Sequence, residues 1–347
     1  MATSYSLLPT AESLIPRATL MLGYLIRRVL YGLLTIFAVS VLSFTIIQLP
    51  PGDYVTSYIA SLEAQGDEVS AEEAAALRAY FGLGEPAYIQ YGKWMWQIMQ
   101  GNLGMSFQYR VPVTEVIGQR LLLTIVLALG SLIFIWVVAI PIGIYSAVRQ
   151  YSVLDYIATM FGFTGLAIPD FLFALVLMYL AWDWFNFSIG GLFSPEYLSA
   201  PWSLGRVIDL LQHLIIPIVV LGTSGTASLI RITRANLLDE LRKPYVVTAR
   251  AKGMNEWQLI FKYPVRLAFN PIISITAYIL PFLVSGSVIV SVVLNLPTVG
   301  PVLLRSLLSQ DMFLAGAIIL MIGVMTVIGT LLSDILLGIV DPRVRLR

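Results

Sequence analysis

The sequence predicts an all-α integral membrane fold: six transmembrane helices, an extracytoplasmic insert and a short cytoplasmic helix. Three observations carry this expectation. Of 347 residues, 58% are hydrophobic and 12% charged, and the mean hydropathy is +0.84, which leaves too little polar surface to clothe two or three soluble domains. Apolar runs of about 20 residues recur, each long enough to cross a hydrocarbon core. Lysine and arginine collect on one side of those runs.

The spans are expected at about 27–49, 120–148, 156–181, 207–230, 271–294 and 313–337. Unpaired backbone groups are costly in lipid, so each must be a helix. Residues 1–22 read as a tail and 23–347 as one transmembrane domain. The first run, after Arg27 and Arg28, extends from Val29 to about Leu49. It exceeds a signal-peptide core of about 7–15 residues and no small-x-small cleavage site follows, so it reads as an uncleaved span. Pro141, Pro169, Pro217 and Pro281 fall inside spans, where neighbouring helices absorb kinks. With the N-terminus inside, fifteen of the 21 basic residues lie on the cytoplasmic side, eight of them in 231–266. Both termini are therefore expected in the cytoplasm.

The insert, 50–119, opens with the sharp exit Pro50-Pro51-Gly52-Asp53. Ser70 with Glu73 predicts a capping box, and an alanine-rich helix then runs to Tyr80 before Gly82 stops it. The acidic residues Glu63, Asp67, Glu68, Glu72, Glu73 and Glu85 form either a solvated face or a docking surface.

The cytoplasmic loop, 231–270, contains KPYVVTARAKGMNEWQLIFKYPVRLAFNP. Pro244 suits a first helical position. Tyr245 to Lys252 is helix-compatible and Gly253 supplies a left-handed stop. Asn255 can cap a second helix, Glu256 to about Ala268, bearing Trp257, Ile260, Phe261 and Val265. Pro271 is expected to start the fifth span. Tyr245, Ala249 and Gly253 share one face. Small residues there permit close approach of a partner, with the tyrosine as anchor, and Arg250 and Lys252 fall toward the rim. The residues also allow an ordinary positive-inside loop, a reading that stands slightly behind docking.

Several function classes are disfavoured. Without cysteine there is no disulfide, iron–sulfur cluster or thiolate zinc site. A lone histidine, His213, speaks against a histidine-rich metal site, and a net charge of +1 implies no general attraction to nucleic acid. Gly222-Thr223-Ser224-Gly225 matches the serine motif of intramembrane proteases. His213, eleven positions earlier on the same span, would lie about 16 Å away at helical rise, so the motif reads as a packing face. No glycine-lysine-serine/threonine triplet occurs, so the chain carries no Walker loop. Asp170 lies about 22 Å along the third span from Asp155 at helical rise, still within the bilayer. Its carboxylate either lines a passage or satisfies backbone groups at the Pro169 kink. Asp334 reads as the partner of a basic residue. Trp182, Trp184, Phe185, Phe187 and Trp202 are interfacial anchors or a stacking surface for sugars.

TARAKG with a following hydrophobic stretch and closing proline resembles the signature loop of ABC importer permeases. More narrowly, the chain resembles the first permease subunit of the oligopeptide/dipeptide/nickel importer family. The likeness runs through Leu25-Ile26-Arg27-Arg28, Pro51-Gly52-Asp53, Gly82-Leu83-Gly84, Gln90-Tyr91 with Trp94, and Gly101-Asn102-Leu103-Gly104-Met105-Ser106. It continues in Thr124, Pro169, the loop, Gly286-Ser287-Val288, Pro297, Asp334 and Asp341-Pro342-Arg343.

That resemblance implies a multi-pass subunit of the prokaryotic cell (inner) membrane. It implies a second homologous permease, two ATP-binding subunits and an extracytoplasmic substrate-binding protein as partners, besides membrane lipid. ATP and Mg are expected on the partner subunits, with no cofactor on this chain. The coupling helix, with Tyr245, Thr248, Ala249, Arg250, Ala251, Lys252 and Gly253, would seat on an ATPase. Asp170, Ser291 and Asn295 are expected along the translocation path. The chain departs from the family at Val247, where importers commonly have an acid. It departs again where a fifth-span acid is usual and Ser291, Leu294 and Thr298 stand. Oligopeptides or dipeptides are the expected cargo, with oligosaccharides or nickel complexes as alternatives. A secondary transporter would predict an inverted repeat and a coupling-ion site, and neither is visible. An enzyme would need a nucleophile–base pair.

Overall fold

A computed structural model describes residues 17–49, 54–63, 70–80, 84–185 and 190–340. Among them are thirteen α-helices and no strand, only an isolated bridge between Met105 and Pro112. The helices are α1 (Arg17–Gln48), α2 (Tyr54–Glu63), α3 (Ala71–Tyr80), α4 (Ala87–Met99), α5 (Val113–Val148), α6 (Val153–Ala167) and α7 (Asp170–Phe185). They continue with α8 (Leu204–Leu241), α9 (Pro244–Ala251), α10 (Glu256–Lys262), α11 (Pro264–Val293), α12 (Val299–Leu308) and α13 (Met312–Val340). Four helices, α1, α5, α8 and α13, contain stretches long and apolar enough to cross a membrane, five if α6 and α7 form one broken span.

The bundle centres on α5 against α8, with α11 packed on both and on α13. Glycines set the approach. An added methyl at Gly222 would stand 2.5 Å from the Phe134 ring, one at Gly225 2.6 Å from Ile135, and one at Gly143 2.7 Å from Thr233. Gly222 to Gly225 thus form a packing face of α8, as the small residues predict. Leu127, Ile135, Leu214, Leu229, Ile272 and Leu294 fill the common core. The outer faces remain apolar: Leu30, Leu33, Leu34 and Phe37 on α1 are exposed, and so are Met160, Phe161 and Phe163 on α6. Such surface is stable against hydrocarbon, not against water.

Four expectations change. The third span is not one rod, because α6 and α7 meet at 106° across Ile168-Pro169. The residue before proline avoids the helical region, and Ile168 is extended (φ −88°, ψ 124°). The fourth span does not end near 230. It continues to Leu241, so Arg231 and Arg234 belong to its last turns. Helix α11, which falls at the expected fifth span, begins at Pro264, with Pro271 inside it. Residues 17–22 of the expected tail are helical. Helix α12 was not foreseen. The exit at 50–53, the Gly82 stop, Phe187 and Asp341-Pro342-Arg343 lie outside the described residues.

Between α1 and α5 the Ser70–Glu73 box forms in both directions: Glu73 N–H donates to Ser70 Oγ (3.2 Å), and Ser70 N–H to Glu73 Oε2 (3.1 Å). Trp94 is buried beside Phe44 and Tyr91. The Gly101–Ser106 stretch has a physical reason for its composition. Asn102 Oδ1 accepts from Gly104 N–H at 2.9 Å. Gly104 sits at φ +84°, with Phe313 2.5 Å from where a Cβ would be. Ser106 Oγ donates to buried Asp311 (2.5 Å), which also accepts from the backbone of Gln108 and of Leu314 at the start of α13.

Candidate functional site

The α9–α10 corner is built from local signals. Lys243 is extended (φ −68°, ψ 147°), so the helix begins at Pro244. It stops at Gly253, whose φ of +75° is left-handed. Gly253 N–H returns to the Arg250 carbonyl at 3.0 Å. Asn255 Oδ1 then accepts from Trp257 N–H (3.0 Å) and starts α10. Arg250 spans the bend, donating through Nε and Nη2 (3.2 Å for the latter) to the Glu256 carboxylate. That bonding holds the Glu256 carboxyl below its ordinary range and pushes the Arg250 guanidinium up.

Burial divides the predicted coupling residues into two sets. Ala249 is 8% exposed and Val246 fully buried, packed with Leu237, Leu259, Ile260 and Ala147. Tyr245 is half-buried. Its hydroxyl donates to Glu240 Oε2 at 2.6 Å, and its ring meets Tyr263 edge-on. Burial, then Glu240, raises the Tyr245 phenol well above its usual range. The face with Tyr245 and Ala249, expected to meet a partner with the tyrosine as anchor, is therefore turned onto the chain's own α8 and α10. The apolar Val246 on that side explains the choice. Val247, Thr248, Arg250, Ala251, Lys252 and Gly253 are the exposed set, and Val247, the departure from the importer pattern, is 58% exposed. Trp257 and Phe261 stack at 6.1 Å and are also exposed.

The sequence reading missed what fastens this corner to the bundle. Asp155, near the start of α6, accepts from Arg234 of α8 at 3.0 and 3.1 Å. It also accepts from Tyr151 N–H (3.0 Å), while its own N–H donates to Ser152 Oγ (3.3 Å). The spacing Ser152-x-x-Asp155 was a visible capping signal. One and two turns beyond Arg234, Leu237 and Leu241 pack on α9.

The three path residues are not brought into one place. Asp170 opens α7, where the Pro169 carbonyl accepts from Leu172 and Phe173 N–H (2.9 and 3.1 Å). Its carboxyl is half-buried beside Ser224 of α8, and the break at Pro169 voids a count of distance along one straight helix. Ser291 is fully buried, so it lines no open path in this conformation. Asn295 (φ +49°) is exposed at the rim of a cavity of about 530 Å³ that Arg120, Thr298 and Arg305 also line. Asp334 pairs with Arg28 of α1 at 3.1 Å, in keeping with its charge-pairing reading. His213 is buried, its Nδ1 2.8 Å from the Asp209 carbonyl.

Long apolar helices with bare outer faces, joined to a compact solvent-facing helical corner, define a polytopic membrane component. Residues 139–346 match the binding-protein-dependent transport system inner membrane component family, and 21–128 match the N-terminal membrane component of such systems. The chain belongs to this family. It is 37% identical to the oligopeptide transport system permease protein AppB of Bacillus subtilis, over 93% of this chain and 99% of that one. Over 94% of this chain it is 33% identical to a putative peptide permease protein of Brucella suis and 30% identical to the dipeptide transport system permease protein DppB of Escherichia coli, each covered to 99%. The chain is a membrane permease component, not an ATPase.

Proposed function

We propose that this chain forms half of the translocation path of an ATP-driven importer of oligopeptides or dipeptides. The observation that carries the reading is its likeness, along nearly its whole length, to an oligopeptide and a dipeptide permease. A second permease, two ATP-binding subunits with ATP and Mg, and an extracytoplasmic binding protein complete the assembly. Residues 23–347 act as one transmembrane domain after the tail 1–22. Its six spans are α1, α5, the broken α6–α7 pair, α8, α11 and α13. Both termini and the 231–270 loop face the cytoplasm, and 50–119 lies outside.

In this reading the exposed set of Val247, Thr248, Arg250, Ala251, Lys252 and Gly253 meets the ATPase, while Tyr245 and Ala249 hold the helix on α8. Closure of the ATPases moves α9. Burial against Leu237 and the Asp155–Arg234 pair support a rigid connection from α9 into α8 and α6. ATP binding thereby biases a bistable pair of membrane halves. Asp170 and Asn295 remain candidates for the path, with Ser291 reached only after rearrangement.

The test is uptake of labelled dipeptide and tetrapeptide by a host lacking its own peptide import. Uptake should require this chain, its partners and ATP. Uptake that persists without this chain, or a system that moves only oligosaccharides, removes the reading. The chain has no cysteine, so single cysteines at Val247 and Ala251 report docking directly. They should lose thiol reactivity when the ATP-binding subunits assemble.

A further inference from the structure

The cavity that Asn295 borders is built, not incidental. Its loop wall is pinned at Ser194, whose N–H (2.8 Å) and hydroxyl (2.5 Å) donate to the two oxygens of Asp209. Gly191 N–H donates to the Leu294 carbonyl at 3.0 Å. Its opposite wall is tied where Val299 N–H donates to Thr124 Oγ1 at 3.0 Å. Among the described residues two arginines, Arg120 and Arg305, line it and no carboxylate does. Arg120 gives one hydrogen bond, to the Val116 carbonyl of its own helix, and lies 5.9 Å over the Tyr109 ring. The exposed Arg305 guanidinium makes no hydrogen bond or ion pair among the described residues. Thr298, 1% exposed, lines the same cavity with its hydroxyl unpaired.

An unpaired buried hydroxyl is unfavourable unless an incoming group satisfies it. Two guanidinium groups in a cavity whose described lining has no carboxylate form a receptor for a planar anion, and carboxylate is the matching geometry. We infer that this cavity is a subsite for the terminal carboxylate of the cargo, with Arg305 as its principal charge and Thr298 as a hydrogen-bond donor. This rests on the peptide-importer reading and adds to it a residue that sets specificity within the membrane subunit.

The complete membrane complex, purified in nanodiscs of zwitterionic lipid, is titrated with trialanine and with trialaninamide. The expected result is trialanine binding that weakens about tenfold or more in Arg305→Gln, the scale of one charge-assisted hydrogen bond. Arg305→Lys, which keeps the charge but not the planar fork, should restore part of it, and trialaninamide should bind weakly to all three proteins. Equal affinity for both probes, wild-type affinity in Arg305→Gln, or no trialanine binding to the wild type overturns the subsite. A second arm adds phosphatidylglycerol. If that lipid competes with trialanine only when Arg305 is present, and trialanine drives no ATPase response, the cavity serves lipid headgroups and the cargo assignment falls. Failure of the importer reading itself is separate: the wild-type system in proteoliposomes would take up no labelled peptide.

Discussion

Asp155 and Arg234, 79 residues apart, form a two-point ion pair that joins the first turn of α6 to the last turns of α8. The carboxylate is buried and the guanidinium partly so. Removing one partner leaves the other charge without compensation. Asp155→Ala should therefore cost about 2–3 kcal/mol, read as a lower Tm of the purified complex. Asp155→Asn, which keeps an acceptor for Tyr151 N–H, should cost less. Asp155→Ala combined with Arg234→Ala should cost less than the sum of the two single changes.

Gly253 tests the corner itself. No atom lies within 4 Å of where its Cβ would be, so the demand is conformational alone, set by φ +75°. Gly253→Ala should cost about 1 kcal/mol and Gly253→Asn a few tenths, because asparagine tolerates the left-handed region. Hydrogen exchange of the α9 amides should rise in that order. Uptake should fall with it, while the melting of the bundle stays unchanged.

These local features were legible because each is written in a few adjacent residues. Pro244, Gly253 and Asn255 start and stop helices by their own covalent geometry. Which side of α9 would be covered was not, since Val246 and Ala249 are buried by residues from other elements, Leu237, Leu259 and Ile260 among them. The α6–α7 break was illegible for another reason: hydropathy over a window measures composition and carries no direction, so Pro169 read as a tolerated kink. Helix α12 is ten residues long and too short to register as a span. Asp311, the buried anchor of the Ser106 turn, lies 205 positions from its partner.

Tyr245 gives the corner a pH limit. Its hydroxyl donates to Glu240, and its pKa is raised above the ordinary value near 10 by burial first and that carboxylate second. A group whose folded pKa is raised contributes stability that is fully present below its unfolded value and lost as pH rises through the folded one. Protection of α9 from exchange, corrected for intrinsic rate, should thus hold up to about pH 10 and decline above it. Tyr245→Phe should be less protected at neutral pH and should lack that decline. A decline unchanged in Tyr245→Phe would assign it to another group.

The α5–α8 contact separates packing from helix propensity. At Gly143 an added methyl would stand 2.7 Å from Thr233 Cβ and 3.1 Å from the Ile230 carbonyl oxygen. Neither is the free end of a flexible side chain, so the helices must part. At Gly118, on the same helix, nothing lies within 4 Å. Gly143→Ala should destabilise by about 1–3 kcal/mol through overpacking, whereas Gly118→Ala should stabilise by up to about 1 kcal/mol through helix propensity. Thermal melting of the assembled complex reads both. Opposite signs on one helix would assign the difference to the approach of α8, since backbone propensity alone predicts a gain at both positions.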